Sequence, residues 1–189
     1  MSKDKPVLGF IGLGLMGTPM TGRLLAEGYE VHIWNRSNDK MAALVEQGAQ
    51  ARRSITELAK LVDVVMLCVS DSQAVESVVL GAGNEDDNLL AGVRKGQVIV
   101  DFSSISPETT RRLAERVRER AATWVDCPVS GGVAGAEQGT LAMMAGGDGD
   151  VIDRLRPVLA CLSQRVTHVG DTGSGQVTKI CNQMLVSCN

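Results

Sequence analysis

The sequence predicts an α/β protein: a doubly wound, mostly parallel sheet with helices on both faces, followed by the start of one further helix. Three observations carry that prediction. Short apolar runs alternate with helical patterns almost from the first residue, as they do when parallel strands are joined by crossover helices. The first run passes at once into Gly12-Leu-Gly14-Leu-Met-Gly17 and then into a helical pattern. The chain of 189 residues, 44% hydrophobic and 22% charged, suffices for one core of ordinary size.

The strands are expected at 7–11, 30–34, 63–69, 98–101, 123–126, 141–145 and 165–169, each a short aliphatic run bounded by Gly, Asp, Asn or Ser. Between them, residues 16–27, 39–47, 55–61, 72–79, 107–119 and 150–162 repeat apolar side chains at helical spacing. Ser106 stands as an N-cap ahead of Pro107, a residue suited to the first helical position. Gly, Asn and Asp dominate 81–88, which reads as a surface loop. A last helix starts near Gly175. On it Val177, Ile180, Cys181, Met184, Leu185 and Cys188 form an apolar stripe, expected to be packed, while Gln176, Lys179, Asn182 and Gln183 gather on another face. The stripe continues to Asn189 without a glycine cap or a proline stop, so the chain reads as one cut short.

Composition excludes several functions. A net charge of −3 and a pI near 5.4 argue against a nucleic-acid partner. The basic stretch 111–120 spaces Leu113 and Val117 as a solvated amphipathic helix would. No run approaches a membrane span, and the start Met-Ser-Lys-Asp-Lys-Pro lacks the apolar core of a signal peptide, so no membrane association and a cytoplasmic location are expected. Cys68, Cys127, Cys161, Cys181 and Cys188 form no Cys-x-x-Cys pair, and only His32 and His168 accompany them, so reduced, buried thiols and no metal site are expected.

A Gly-x-Gly-x-x-Gly loop between a strand and a helix is the context in which a dinucleotide pyrophosphate is held, a Rossmann-type arrangement. Gly12 makes the tight turn, Gly14 lets the backbone approach the phosphates, and Gly17 lets helix and strand pack closely, so Gly12, Leu13, Gly14, Leu15, Met16 and Gly17 are cofactor-site candidates. After the second strand comes Asn35-Arg36-Ser37, where an NAD-preferring site offers a carboxylate to the ribose. Arg36 can instead grip a 2′-phosphate, so NADP is the expected cofactor and NAD the alternative. Ligands of an open parallel sheet lie beyond the carboxyl ends of its strands. That places Val69 and Ser70, and the run Ser103-Ser104-Ile-Ser106, beside the nicotinamide half.

Four motifs in order resemble the β-hydroxyacid dehydrogenase family, which takes in 3-hydroxyisobutyrate dehydrogenases, tartronate semialdehyde (2-hydroxy-3-oxopropionate) reductases and, more distantly, 6-phosphogluconate dehydrogenases. They are the glycine loop, Asp101-Phe-Ser-Ser-Ile-Ser-Pro107, Asp126-Cys-Pro-Val-Ser130-Gly131-Gly132, and Gly175-Gln-Val-Thr-Lys179-Ile-Cys-Asn182. The resemblance implies that Ser130, Gly131 and Gly132 hold the substrate, that Asn182 helps to bind it, that Ser104 contacts the cofactor, and that Lys179 is catalytic. Such a lysine suits hydride transfer to an aldehyde, since charge builds on the oxygen and a cationic acid stabilises it and supplies the proton.

The implied protein is an NAD(P)-dependent oxidoreductase of a small 3-hydroxy acid or its semialdehyde, a carboxylate substrate, with tartronate semialdehyde ranked first and 3-hydroxyisobutyrate next. Residues 1–165 would form the dinucleotide-binding domain, and 166–189 a linker and the beginning of an interdomain helix. The alternative is a truncated dinucleotide-binding module that turns nothing over. Two departures from the family pattern stand out. The lysine is not followed by the His-Asn of the 6-phosphogluconate branch, which argues against a phosphorylated sugar acid. The all-helical second domain that in the family closes the cleft and forms the dimer is absent, so the intact protein is expected to be a homo-oligomer, and Met184, Leu185 and Val186 are expected to lie uncovered.

Overall fold

The computed structural model describes residues 5–81, 83 and 86–187. In chain order the elements are β1 (Leu8–Ile11), α1 (Gly17–Ala26), β2 (Val31–Trp34), α2 (Ala42–Glu46), β3 (Gln50–Ala51), α3 (Ile55–Leu61), β4 (Val64–Leu67), α4 (Ser72–Leu80), α5 (Leu89–Gly92), β5 (Val98–Asp101), α6 (Pro107–Arg118), β6 (Thr123–Asp126), β7 (Val129–Ser130), α7 (Gly132–Gln138), β8 (Leu141–Gly146), α8 (Gly149–Leu159), β9 (Ser163–Gly170) and α9 (Ser174–Ser187). The strands join one sheet in the order β3-β2-β1-β4-β5-β6-β8-β7, with β9 paired to β8. From β3 to β6 every pairing is parallel; β8 runs antiparallel to β6 and β7 and parallel to β9. The chain thus winds outward from β1 to β2 and β3, returns to β4 on the other side, and leaves a switch point between β1 and β4.

Strand residues alternate between two apolar layers, as a period of two requires. Leu8, Phe10, Val64, Met66, Val100 and Val125 enter one core with Met20 and Leu24 of α1. Ile11, Val65, Leu67, Ile99 and Trp124 enter the other with Leu58 of α3 and Leu113 of α6. Covered on both faces, β1 and β4 are buried at every residue. Gly9 makes room for that cover, since a Cβ there would stand 3.0 Å from Val62 Cγ2 and against Leu58.

The α/β class and the doubly wound, mostly parallel sheet are as expected. Local differences have physical causes. The segment expected as one helix at 39–47 is a 3₁₀ turn at Asn38–Met41 followed by α2. β3 and β7 are two residues long and carry no period, and α7 contains Gly132 and Gly135, poor helix formers that concealed it. Asn88 caps α5 by accepting from Ala91 N at 2.9 Å, ending the 81–88 loop in a helix; residues 82, 84 and 85 of that loop lie outside the described residues. The expected boundary after 165 falls within β9.

α9 departs most from expectation. The first part of its apolar stripe faces outward: Val177 and Ile180 are 44% and 46% exposed and Cys181 is exposed, whereas Gln176 is 1% exposed; Met184, Leu185 and Val186 lie uncovered as expected, at 64%, 66% and 63%. Cys188 and Asn189, which would have continued the stripe, lie outside the described residues, as do residues 1–4. The cause lies in how the helix starts. A Cβ on Gly175 would stand 2.8 Å from Asp126 O and collide with Met144 O, so glycine lets the helix backbone rest directly on β6 and β8. The side of the helix turned to the sheet is then set by Gly175 and Gln176, and the apolar stripe is turned away.

Candidate active site

The loops at the carboxyl ends of β1, β2, β4 and β5 meet along the switch point. Gly12 has φ +98°, and a Cβ there would collide with Cys68 O and stand 2.8 Å from Val69 Cγ1, so the glycine loop lies hard against the loop after β4. A Cβ on Gly17 would collide with Gly12 O, the close helix–strand contact the motif requires. At Gly14 a Cβ would meet nothing within 4 Å. Open space above that backbone, and a helix α1 that starts without a side-chain cap or an acidic residue in its first turn, fit a phosphate group. Leu13 is buried, Met16 is half-buried, and Leu15 is 80% exposed on the loop's outer side.

Asn35 serves the scaffold. Its Oδ1 accepts from Leu13 N at 2.9 Å and its Nδ2 donates to Ser37 O at 2.9 Å, tying the glycine loop to the turn after β2. Arg36 and Ser37 are exposed at that turn. Asp71, next to Ser70, caps α4 by accepting from Ala74 N at 2.8 Å. Its carboxyl is held below the usual carboxylate range, first by the Ser70 hydroxyl, which donates to Oδ2 at 2.7 Å, then by Ala74 N, with Arg36 adding a favourable charge. Arg36 and Asp71 therefore sense one another across the end of β1.

The serines after β5 divide by role. Ser103 is buried and accepts from Val69 N at 3.0 Å, locking two loops together. Ser106 caps α6 as expected, accepting from Thr109 N at 3.0 Å. Ser104 and Ser106 line a cleft of about 650 Å³ together with Asp71, Gln176, Lys179 and Gln183, and of these two serines Ser106 has its hydroxyl engaged in the cap.

Lys179 is half-buried, and its Nζ donates to Gln183 Oε1 at 3.0 Å. Burial lowers its ammonium below the ordinary lysine range. The helix that carries it is fixed at its start by Asp126, whose Oδ1 accepts from Gly173 N at 2.7 Å and Oδ2 from Gln176 N at 3.0 Å. The Gln176 side chain then donates to Ser103 O at 2.8 Å and accepts from Ile105 N at 3.2 Å. Asp71, Asp126 and the inward role of Gln176 were not foreseen from the sequence. A signal for Asp126 existed in the two strands that both end in aspartate, and in the sheet Asp101 and Asp126 are in register.

Ser130, Gly131 and Gly132 form the turn from β7 into α7, with φ +130° at Gly131 and +62° at Gly132. Gly132 is exposed, and a Cβ there would meet nothing within 4 Å. β8 is the common platform: Ser130 pairs with Ala142, and α9 rests on Met144 two residues further. The cleft lining gathers Ser104 and Lys179 but includes neither this turn nor Asn182 nor the glycine loop. Asn182 is partly buried, with Nδ2 enclosed and unpartnered.

Beneath the cleft lie buried titratable groups. Burial, opposed by the Ser103 hydroxyl and amide and assisted by the Asp126 charge, pushes Asp101 up to about 7. Burial also raises Asp126, against the pull of its backbone donors. The Cys68 thiol is pushed up to about 12 by burial and by Asp101, and Cys127 is raised by burial, then by Asp126 and Asp101. Among the described residues no group of three or more His, Cys, Asp or Glu is placed to hold a metal ion, and no helix is long and apolar enough to cross a membrane.

Residues 7–170 match the family model of the NAD binding domain of 6-phosphogluconate dehydrogenase. The chain is 41% identical over 182 residues to 2-(hydroxymethyl)glutarate dehydrogenase of Eubacterium barkeri, covering 96% of this chain and 59% of the relative. It is 42% identical over 179 residues to 3-hydroxyisobutyrate dehydrogenase of Pseudomonas aeruginosa, covering 95% of this chain and 59% of the relative. A solved structure of Psf3 in complex with NADP+ and 2-OPP superposes with a TM-score of 0.89 at 37% identity, over 95% of this chain and 62% of that one. The chain thus spans about three-fifths of the length of the relatives it matches.

Proposed function

The chain belongs to the family of 6-phosphogluconate dehydrogenase NAD-binding domains, and on that premise we propose that it is the cofactor domain of an NADP-linked oxidoreductase acting on a small 3-hydroxy acid or its semialdehyde. The observation that carries the proposal is Lys179, its ammonium lowered by burial, held in one cleft with Ser104 beyond the carboxyl ends of the strands. Bound above the glycine loop, the dinucleotide supplies or accepts the hydride. Gly14 and the uncapped start of α1 hold its phosphates, Arg36 grips the 2′-phosphate, and Val69, Ser70 and Ser104 border its nicotinamide end.

In this reading Lys179 donates a proton to the carbonyl oxygen during reduction and takes it back, once deprotonated, during oxidation. A lowered lysine gives up that proton more readily than an exposed one. The amides and hydroxyl of Ser130, Gly131 and Gly132 bind the substrate carboxylate, with Asn182 as the further substrate contact that the family resemblance implies. The outward stripe of Val177, Ile180, Met184 and Leu185 supports burial against further protein, and with it a homo-oligomer of the intact, cytoplasmic protein.

The test is NADPH titration and turnover on a panel of semialdehydes, tartronate and methylmalonate semialdehyde included, for the wild type and Lys179→Ala. Both should bind NADPH, and the variant should lose turnover by about 10² or more. Full turnover in the variant removes the lysine from the chemistry, and binding without turnover in the wild type assigns this chain to dinucleotide binding alone.

A further inference from the structure

We infer that Gln176 is the positioning residue for Lys179: its side-chain amide, gripped on both sides by the loop after β5, sets the rotation of α9 that turns the lysine into the cleft. The inference rests on reading Lys179 as the proton-transfer group.

The geometry is specific. Nε2 donates to Ser103 O at 2.8 Å and Oε1 accepts from Ile105 N at 3.2 Å, so the two bonds straddle Ser104, the residue on the cleft wall facing the lysine. The amide is 1% exposed, and both of its ends meet a backbone group of the opposite kind. Lys179 follows three residues later, so the two side chains lie within about 60° of one another around the helix and about 4.5 Å apart along it. Whatever fixes the azimuth of Gln176 fixes that of the lysine.

α9 also touches β6, β8, β9 and α6, but Gln176 carries its one buried side chain among the described residues. Hydrophobic packing would hold the helix if its stripe faced the sheet, but Val177, Ile180, Met184 and Leu185 point away. The Gly175 contacts with β6 and β8 set the distance of approach, and a glycine surface has no side chain to resist rotation. Asp126 anchors the first-turn amides of Gly173 and Gln176 and so fixes where the helix begins. The paired amide bonds are directional, weakening steeply off line, and they act three residues, a little under one turn, from the lysine.

The experiment reads the lysine itself. Reductive ¹³C-dimethylation keeps the charge of each lysine and gives a methyl resonance that titrates with it; the Lys179 signal is identified by its absence in Lys179→Arg. Asp71 is the other charged group lining the cleft, with Ser104, Ser106, Gln176 and Gln183 the neutral polar ones, and burial alone accounts for the lowered Lys179 ammonium. Gln176→Met keeps the volume and removes both bonds. Freed to rotate, Lys179 should gain solvent, and its midpoint should rise toward that of the exposed lysines, with the turnover pH profile moving in the same direction. Gln176→Asn, a methylene too short to reach both partners, should show the same displacement and serves if the methionine variant does not fold. A Lys179 midpoint unchanged in a folded variant overturns the inference whatever the turnover does. Turnover retained in Lys179→Ala overturns the functional reading instead, so the two failures are distinct.

Discussion

Replacing Asp101 by Asn should make the protein more stable at neutral pH and abolish a pH dependence that the wild type carries. Asp101 is fully buried, its Oδ1 accepts from Ser103 N at 2.9 Å, its Oδ2 has no partner, and its carboxyl is pushed up to about 7. In the unfolded chain the same group titrates near 3.9. Below about pH 4 it is protonated in both states and contributes nothing to the difference between them. Between about 4 and 7 the unfolded chain has released the proton and the folded chain retains it, so the unfolded state binds fewer protons and stability falls as pH rises, by about 1.4 kcal/mol per unit. Across that window the loss is about 4 kcal/mol, and above pH 7 it levels off. The carboxamide of Asp101→Asn is neutral at every pH and keeps the acceptor for Ser103 N, so it imitates the protonated acid. Urea unfolding of both proteins from pH 4.5 to 8.5 gives the difference in stability at each pH, from which the exposed carboxylates Asp71 and Glu30 cancel; their lowered values act with the opposite sign. The two proteins should be close in stability near pH 4.5, and the variant should lead increasingly up to pH 7. A difference that does not change with pH refutes the reasoning.

Arg36→Ala should weaken NADP binding by about 10- to 100-fold, the worth of charge-assisted bonds to a phosphate, with NAD binding little altered; fluorescence titration with each cofactor checks this, and an equal loss for both excludes a role at the 2′-phosphate. Ser106→Ala removes the cap that accepts from Thr109 N and should cost about 1 kcal/mol in urea unfolding, with no change in NADPH affinity. Gly17→Ala puts a Cβ against Gly12 O and 3.1 Å from the Phe10 ring. It should destabilise by about 1–3 kcal/mol and weaken NADPH binding, and an unchanged Kd would show that the loop tolerates the displacement.

Legible in the chain alone is what neighbouring residues decide among themselves. The glycine loop can be read there because turn, close approach and helix contact each need the absence of a side chain at Gly12, Gly14 and Gly17, three positions of one short segment. Ser106 ahead of Pro107 is legible for the same reason, and so are the strands of the two-sided core, whose aliphatic runs follow from burial on both faces. How these parts meet was left to the tertiary structure. Asn35 reads as a candidate for the cofactor, and only the fold shows that its Oδ1 also accepts from Leu13 N, across 22 residues. Asp126 and Gln176 gain their meaning from bonds to Gly173 and Ser103, across 47 and 73 residues. The amphipathic pattern of α9 defines its apolar side but not which side meets this domain. That was settled by a backbone contact at Gly175 and by directional bonds at Gln176, because a close glycine approach and a paired amide orient a helix where its hydrophobic face, turned outward, exerts no hold on the sheet.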